Sequence, residues 1–256
     1  MRFSGALLGL LTVVGLTILC WSPLHGQTFN EREVKSLPSD LDKVGIWAMD
    51  FRFKDPRIIK VKLPARGERL VWYVWYQVIN RSAKPQEIAP YFELVTLDNP
   101  GLYRDEILIT AEEAIKKIED KSGYLDIKNT VTMSKYAIPP SKPAEEAFPI
   151  PVTGVAIWDA GPADPNNRST KKELSDTTRF SIFIRGLSNG SVEIDAPAPG
   201  LPPITQYKTL QINFKRKGDR FSTDSRDIEF VSPPQWIYRS ATRTIPTEKL
   251  DEKKDK

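Results

Sequence analysis

Leu70-Val71-Trp72-Tyr73-Val74-Trp75-Tyr76-Gln77-Val78-Ile79 is a run of aliphatic and aromatic residues broken by a single amide. Both alternation sets are apolar, with Trp72 and Tyr76 on one face and Tyr73 and Trp75 on the other. A strand of this composition belongs inside a sheet, covered on both sides. The signal repeats on either side of it. Upstream, Trp47, Met49, Phe51 and Phe53 alternate with Asp50 and Arg52, and Ile59, Val61 and Leu63 alternate with Lys60 and Lys62, with Asp55-Pro56 as the turn between. Downstream, strands are expected over 91–97, 130–133, 152–158, 180–187, 210–214 and 228–231. Asn189-Gly190 reads as a tight hairpin turn into Val192 and Ile194. The proline-rich stretches 138–143 and 195–203 read as loops.

One helix interrupts this pattern, over 111–121. Thr110 and Glu113 make a capping box, Ala111, Ile115 and Ile118 form an apolar stripe, and Gly123 is a natural C-cap. Many short strands with Gly/Pro turns and one inserted helix predict a single antiparallel β-sandwich over 44–240, with the helix at its edge or rim. The strand Leu70–Ile79, ending in Asn80-Arg81-Ser82 and followed by Tyr91–Leu97, resembles adjacent strands of an immunoglobulin-like domain, which implies an immunoglobulin-like β-sandwich. Two domains joined by the 138–151 stretch are the alternative. Residues 27–43 read as a polar lead-in. The tail 241–256, where Glu248, Asp251, Glu252 and Asp255 balance Lys249, Lys253, Lys254 and Lys256, reads as disordered.

The N-terminus reads as an address. Arg2, an uncharged apolar run over 6–19, Pro23 and then Gly26 have the layout of a secretory signal peptide, 1–26, cut before Gln27. An uncleaved anchor is the alternative, although the run is shorter than the ~20 residues a spanning helix needs. The chain should therefore be exported to the periplasm, the cell envelope or the medium. His25 and Cys20, the only histidine and cysteine among 256 residues, both lie in this segment. Without them the remainder has no Ser-His-Asp or Cys-His machinery and cannot build the usual histidine- and cysteine-based zinc or copper ligand sets, and no cofactor is expected. A net charge of +4 is too mild to point to nucleic acid.

Four segments carry a resemblance: Ile138-Pro139-Pro140, Gly154-Val155-Ala156-Ile157-Trp158-Asp159, Arg179 to Gly190 (RFSIFIRGLSNG), and Lys208-Thr209-Leu210-Gln211-Ile212-Asn213-Phe214. Across most of 44–240 the chain resembles a group of uncharacterised secreted proteins of planctomycete-type bacteria. The resemblance implies an exported, β-rich protein and brings no activity with it.

Several groups could carry chemistry. Asp105-Glu106 and Glu112-Glu113 are paired carboxylates, although acids at a helix start serve capping and the dipole. Asp159, Asp164, Asn166 and Asn167 put four oxygen side chains in one turn-rich stretch, where calcium is the conceivable ligand. Trp72, Tyr73, Trp75 and Tyr76 could stack on sugars but are better suited to a core. Asn80, Asn167 and Asn189 begin glycosylation-type triplets. Between Arg52 and Arg69 seven cations face only Asp55 and Glu68, so Lys54, Lys60 and Lys62 are the candidate basic face for an anionic polymer or protein partner. Lysines on a hairpin edge also serve simply to block edge pairing. The function expected is a non-enzymatic binding or structural module. The alternative is a carboxylate-dependent hydrolase acting on glycans, which would need two converging carboxyls.

Overall fold

In the computed structural model, the residues described are 31–141, 150–167, 173–196 and 200–240. The expected signal segment and charged tail lie outside them. Two antiparallel sheets pack face to face, and the chain is mainly β. The first sheet holds β1 (Glu31–Val34), β2 (Asp50–Lys54), β3 (Arg57–Leu63), β4 (Gly67–Ile79) and β7 (Val152–Pro162). The second holds β5 (Tyr91–Thr96), β6 (Gly101–Arg104), β8 (Arg179–Arg185), β9 (Ser191–Ile194), β10 (Ile204–Arg216) and β11 (Ile228–Ser240).

β4 is buried on both faces, as its composition requires. Leu70, Trp72, Val74, Tyr76 and Val78 point into the space between the sheets. There Trp72 meets Phe180 at 5.2 Å and Tyr76 meets Phe92 at 4.9 Å between ring centroids. Val71, Tyr73 and Trp75 point the other way, into a second apolar cluster with Val61, Leu63, Val155 and Ile157. That cluster is closed by Ala111 and Ile115 of the helix α1 (Ile109–Glu119), so α1 covers the outer face of the first sheet rather than its edge or rim. The physical reason is β4 itself: a strand apolar on both sides leaves a second face that must be covered.

Several local expectations change. Asp55-Pro56 is not a hairpin turn: Phe53 faces Tyr76 and Arg57 faces Tyr73, so β2 and β3 run end to end along one edge of β4 with a single irregularity between them. Asn189-Gly190 is not a hairpin either. β8 and β9 both pair with β10, one after the other, and the Asn189 side chain accepts from the Trp47 backbone N–H at 2.8 Å. Residues 130–133 form a one-turn helix, α2 (Thr130–Met133), because Asn129 and Thr132 cap it reciprocally and Met133 is buried. α1 begins two residues earlier than its capping box indicates. No side chain caps it, and the Leu108 carbonyl accepts from Glu112 N–H while Leu108 packs into the outer cluster. A capping box is worth about 1 kcal/mol, an amount that the partial burial of a leucine can match. The lead-in contributes β1, paired with β2, and β11 continues through Pro233 and Pro234, which an edge strand tolerates at a register shift.

Candidate functional site

The expected basic face divides. On the edge strand β3, Lys60 and Lys62 are exposed. Lys54 is engaged within the chain. Its Nζ lies 2.7 Å from the Glu119 carboxylate and 4.4 Å from the centre of the Trp75 ring. Glu119, whose side chain is 1% exposed, also accepts from Arg57 at 2.7 Å and from the Tyr73 hydroxyl at 2.8 Å. Burial and then the Glu119 charge push the Tyr73 hydroxyl well above its ordinary pKa. This cluster fastens the end of α1 onto the sheet.

The four-oxygen stretch does not converge on one point. Asp159 belongs to β7 and is held by Arg69 at 2.8 Å and Arg66 at 2.9 Å, while Asp164 accepts from the backbone and side chain of Asn166. No group of three or more acidic, histidine or cysteine side chains suited to a metal occurs among the described residues. Asn80 is buried, donating to Lys84 and Ile138 carbonyls and accepting from Ser82, so its triplet forms a loop tie. Trp72, Tyr73, Trp75 and Tyr76 are core residues.

Of the paired carboxyls, Glu106 is bonded to Arg66 and Glu112 to Asn129. Asp105 is held by the Thr130 hydroxyl at 2.7 Å, and burial raises its pKa against the lowering effect of that bond. It lines neither of the two clefts at the surface described below.

A face the sequence did not single out is the outer side of the second sheet. Because Phe92, Leu94, Ile182, Ile184, Leu210 and Ile212 point inward, the alternate residues of β5, β8 and β10 point outward. They form a lattice of arginine and aromatic side chains. Arg185 lies 4.9 Å from the Tyr91 ring centre and 5.2 Å from that of Tyr207. Arg104 covers Tyr91 at 5.6 Å, and Arg239 covers Phe183 at 4.1 Å while pairing with Glu93. Beside them runs a chain of amides and hydroxyls. Ser181 and Gln211 both donate to the Asn213 carbonyl oxygen, at 2.7 and 2.9 Å, and the Asn213 amide donates to Ser232 at 3.1 Å. Tyr91, Glu93, Phe183, Arg185, Thr209 and Arg239 line a shallow depression there. The signal was present in the sequence as Tyr91, Phe183, Arg185 and Tyr207 at outward positions, but it needs the strand order to become one surface.

No protein-family model, curated protein or solved structure matches the chain.

Proposed function

We propose that the protein is an exported, non-enzymatic module of the immunoglobulin-like sandwich type that holds an anionic polymer of the cell envelope on the outer face of its second sheet. The observation that carries this reading is the arginine–aromatic lattice on that face, in contrast to the first sheet, whose outer side carries α1. Aromatic rings with guanidinium groups within about 6 Å of their centres bring stacking area and positive charge to one surface, with Arg104 and Arg185 at Tyr91 and with Arg239, paired to Glu93, at Phe183. A polymer alternating sugar faces and carboxylates, such as a polyuronate, matches both features. No helix among the described residues is long and apolar enough to cross a membrane.

Pull-down and calorimetry with polygalacturonate test the reading. Binding should weaken with salt, fall about tenfold in Arg185→Ala and further in Arg185→Ala with Tyr207→Ala. It should be indifferent to Lys60→Glu with Lys62→Glu. Loss of binding only in the latter pair would move the site to β3. Release of new reducing ends during incubation would favour the hydrolase instead.

A further inference from the structure

We infer that the cleft between α1 and α2 is a separate binding site for a single sugar acid, a hydroxylated ring bearing one carboxylate. The cleft has a volume of about 260 Å³, just under the roughly 300 Å³ at which pockets for drug-sized ligands begin, so it suits one small molecule. It is lined from one side by Glu112 and Lys116 of α1, and from the other by Asp126, Lys128, Lys135 and Tyr136. These belong to the elements over and beside the first sheet, so the cleft is distinct from the arginine–aromatic lattice on the second.

The chemistry of the lining is divided. Glu112 is 8% exposed, and no cation pairs with it among the described residues. Its two oxygens share one donor, the Asn129 amide, at 3.1 and 3.2 Å. A buried carboxylate can accept about four hydrogen bonds, so this one has acceptor capacity left over at a cleft wall. Water or ligand hydroxyls are the groups that fill such capacity without the desolvation cost of a second charge. Lys116 and Lys135 supply two ammonium groups, while Lys128 is joined to Asp126 at 2.6 Å. Tyr136 is 71% exposed, with Lys128 at 5.9 Å from its ring centre. An exposed ring stacks on the apolar face of a pyranose, lysines take a carboxylate, and a buried carboxylate takes ring hydroxyls. A ligand that is anionic throughout would meet Glu112 and Asp126, and a neutral sugar would leave the lysines unanswered. The sugar acid satisfies both halves.

Titration of the full protein with D-glucuronate, followed by calorimetry and by the fluorescence or NMR signal of Tyr136, is the test. Saturable binding is expected, at least tenfold tighter than that of D-glucose or acetate. Lys135→Ala and Tyr136→Ala should each weaken it about tenfold, and Glu112→Gln should do the same while the melting temperature stays within about a degree or two. If Glu112→Gln unfolds the protein, the two rim substitutions, both at exposed positions, still decide the matter. Absence of saturable glucuronate binding overturns the inference. So does equal affinity for acetate, or binding that survives both rim substitutions but is lost in Arg185→Ala, which would assign the sugar acid to the sheet face.

Discussion

Glu119 shows how one side chain can organise a neighbourhood. Its carboxylate sits under the end of α1 with two cations and a tyrosine hydroxyl around it. Lys54 and Arg57 are 16% and 31% exposed, so each retains some hydration, but Glu119 retains almost none. Removing the acid would leave two partly buried cations and a buried hydroxyl without their acceptor. Glu119→Ala should cost about 3 kcal/mol in urea unfolding, as expected for breaking a buried pair from one side. Lys54→Met should cost clearly less, because Arg57 and Tyr73 still satisfy the carboxylate. An equal cost for both would mean that Lys54 alone carries the interaction. In the sequence, Lys54 reads as part of a basic face with Lys60 and Lys62. Its partner lies 65 residues away, and only folding brings the two together.

At the scale of elements, the segment between β1 and β2 is held by a buried lysine rather than by apolar packing alone. Lys208 of β10 is 2% exposed and reaches the Leu37 carbonyl at 2.9 Å and the Asp42 carboxylate, which also accepts from the Tyr238 hydroxyl at 2.7 Å. Burial alone would raise the Asp42 pKa. The bonds from Lys208, Tyr238 and the Ser39 backbone outweigh it and hold the carboxyl below its ordinary range. The same contacts push Tyr238 up to about 12, through burial first and then the Asp42 bond and charge. Because the Asp42 value is depressed in the folded state, its contribution to stability is fully present above the ordinary carboxylate range. It is lost as the pH falls through the folded value. Asp42→Asn should therefore cost about 2 kcal/mol at pH 7 and progressively less as the pH falls below the ordinary carboxylate range, with faster proteolysis within 35–43. A pH-independent cost would show that Asp42 acts by shape and not by charge.

At the scale of the whole molecule, strands from either side of the 138–151 stretch are interleaved. β7 pairs with β4 along its length, and β8 pairs with β5, so each sheet contains strands from both halves of the chain. A protease site placed between Ala144 and Glu145 should give two fragments that stay together through gel filtration and separate only in denaturant. Fragments that elute apart and remain folded would support the two-domain alternative. The Ser141 hydroxyl accepts from Ile150 N–H at 3.0 Å.

Patterns with a short period were legible in the sequence, and pairings over long separations were not. The doubly buried strand β4, the inward sets of β2, β5, β8 and β10 and the existence of a helix all follow from alternation and periodicity, which depend on nearest neighbours in the chain. The role of Asn189-Gly190, the helical turn at 130–133 and the true start of α1 did not follow. In each of these places a preference of about 1 kcal/mol was overruled by burial or by a distant hydrogen bond. The arginine–aromatic lattice and the α1–α2 cleft belong to the same class. Tyr91, Arg185 and Tyr207 are adjacent only because β5, β8 and β10 lie side by side, and Glu112 lines one cleft with Lys135 and Tyr136 only because α1 and α2 both settle against the first sheet. Side-chain alternation is written into the chain locally, but which strand lies beside which is set by the burial of the two faces of β4, and that is a property of the folded molecule.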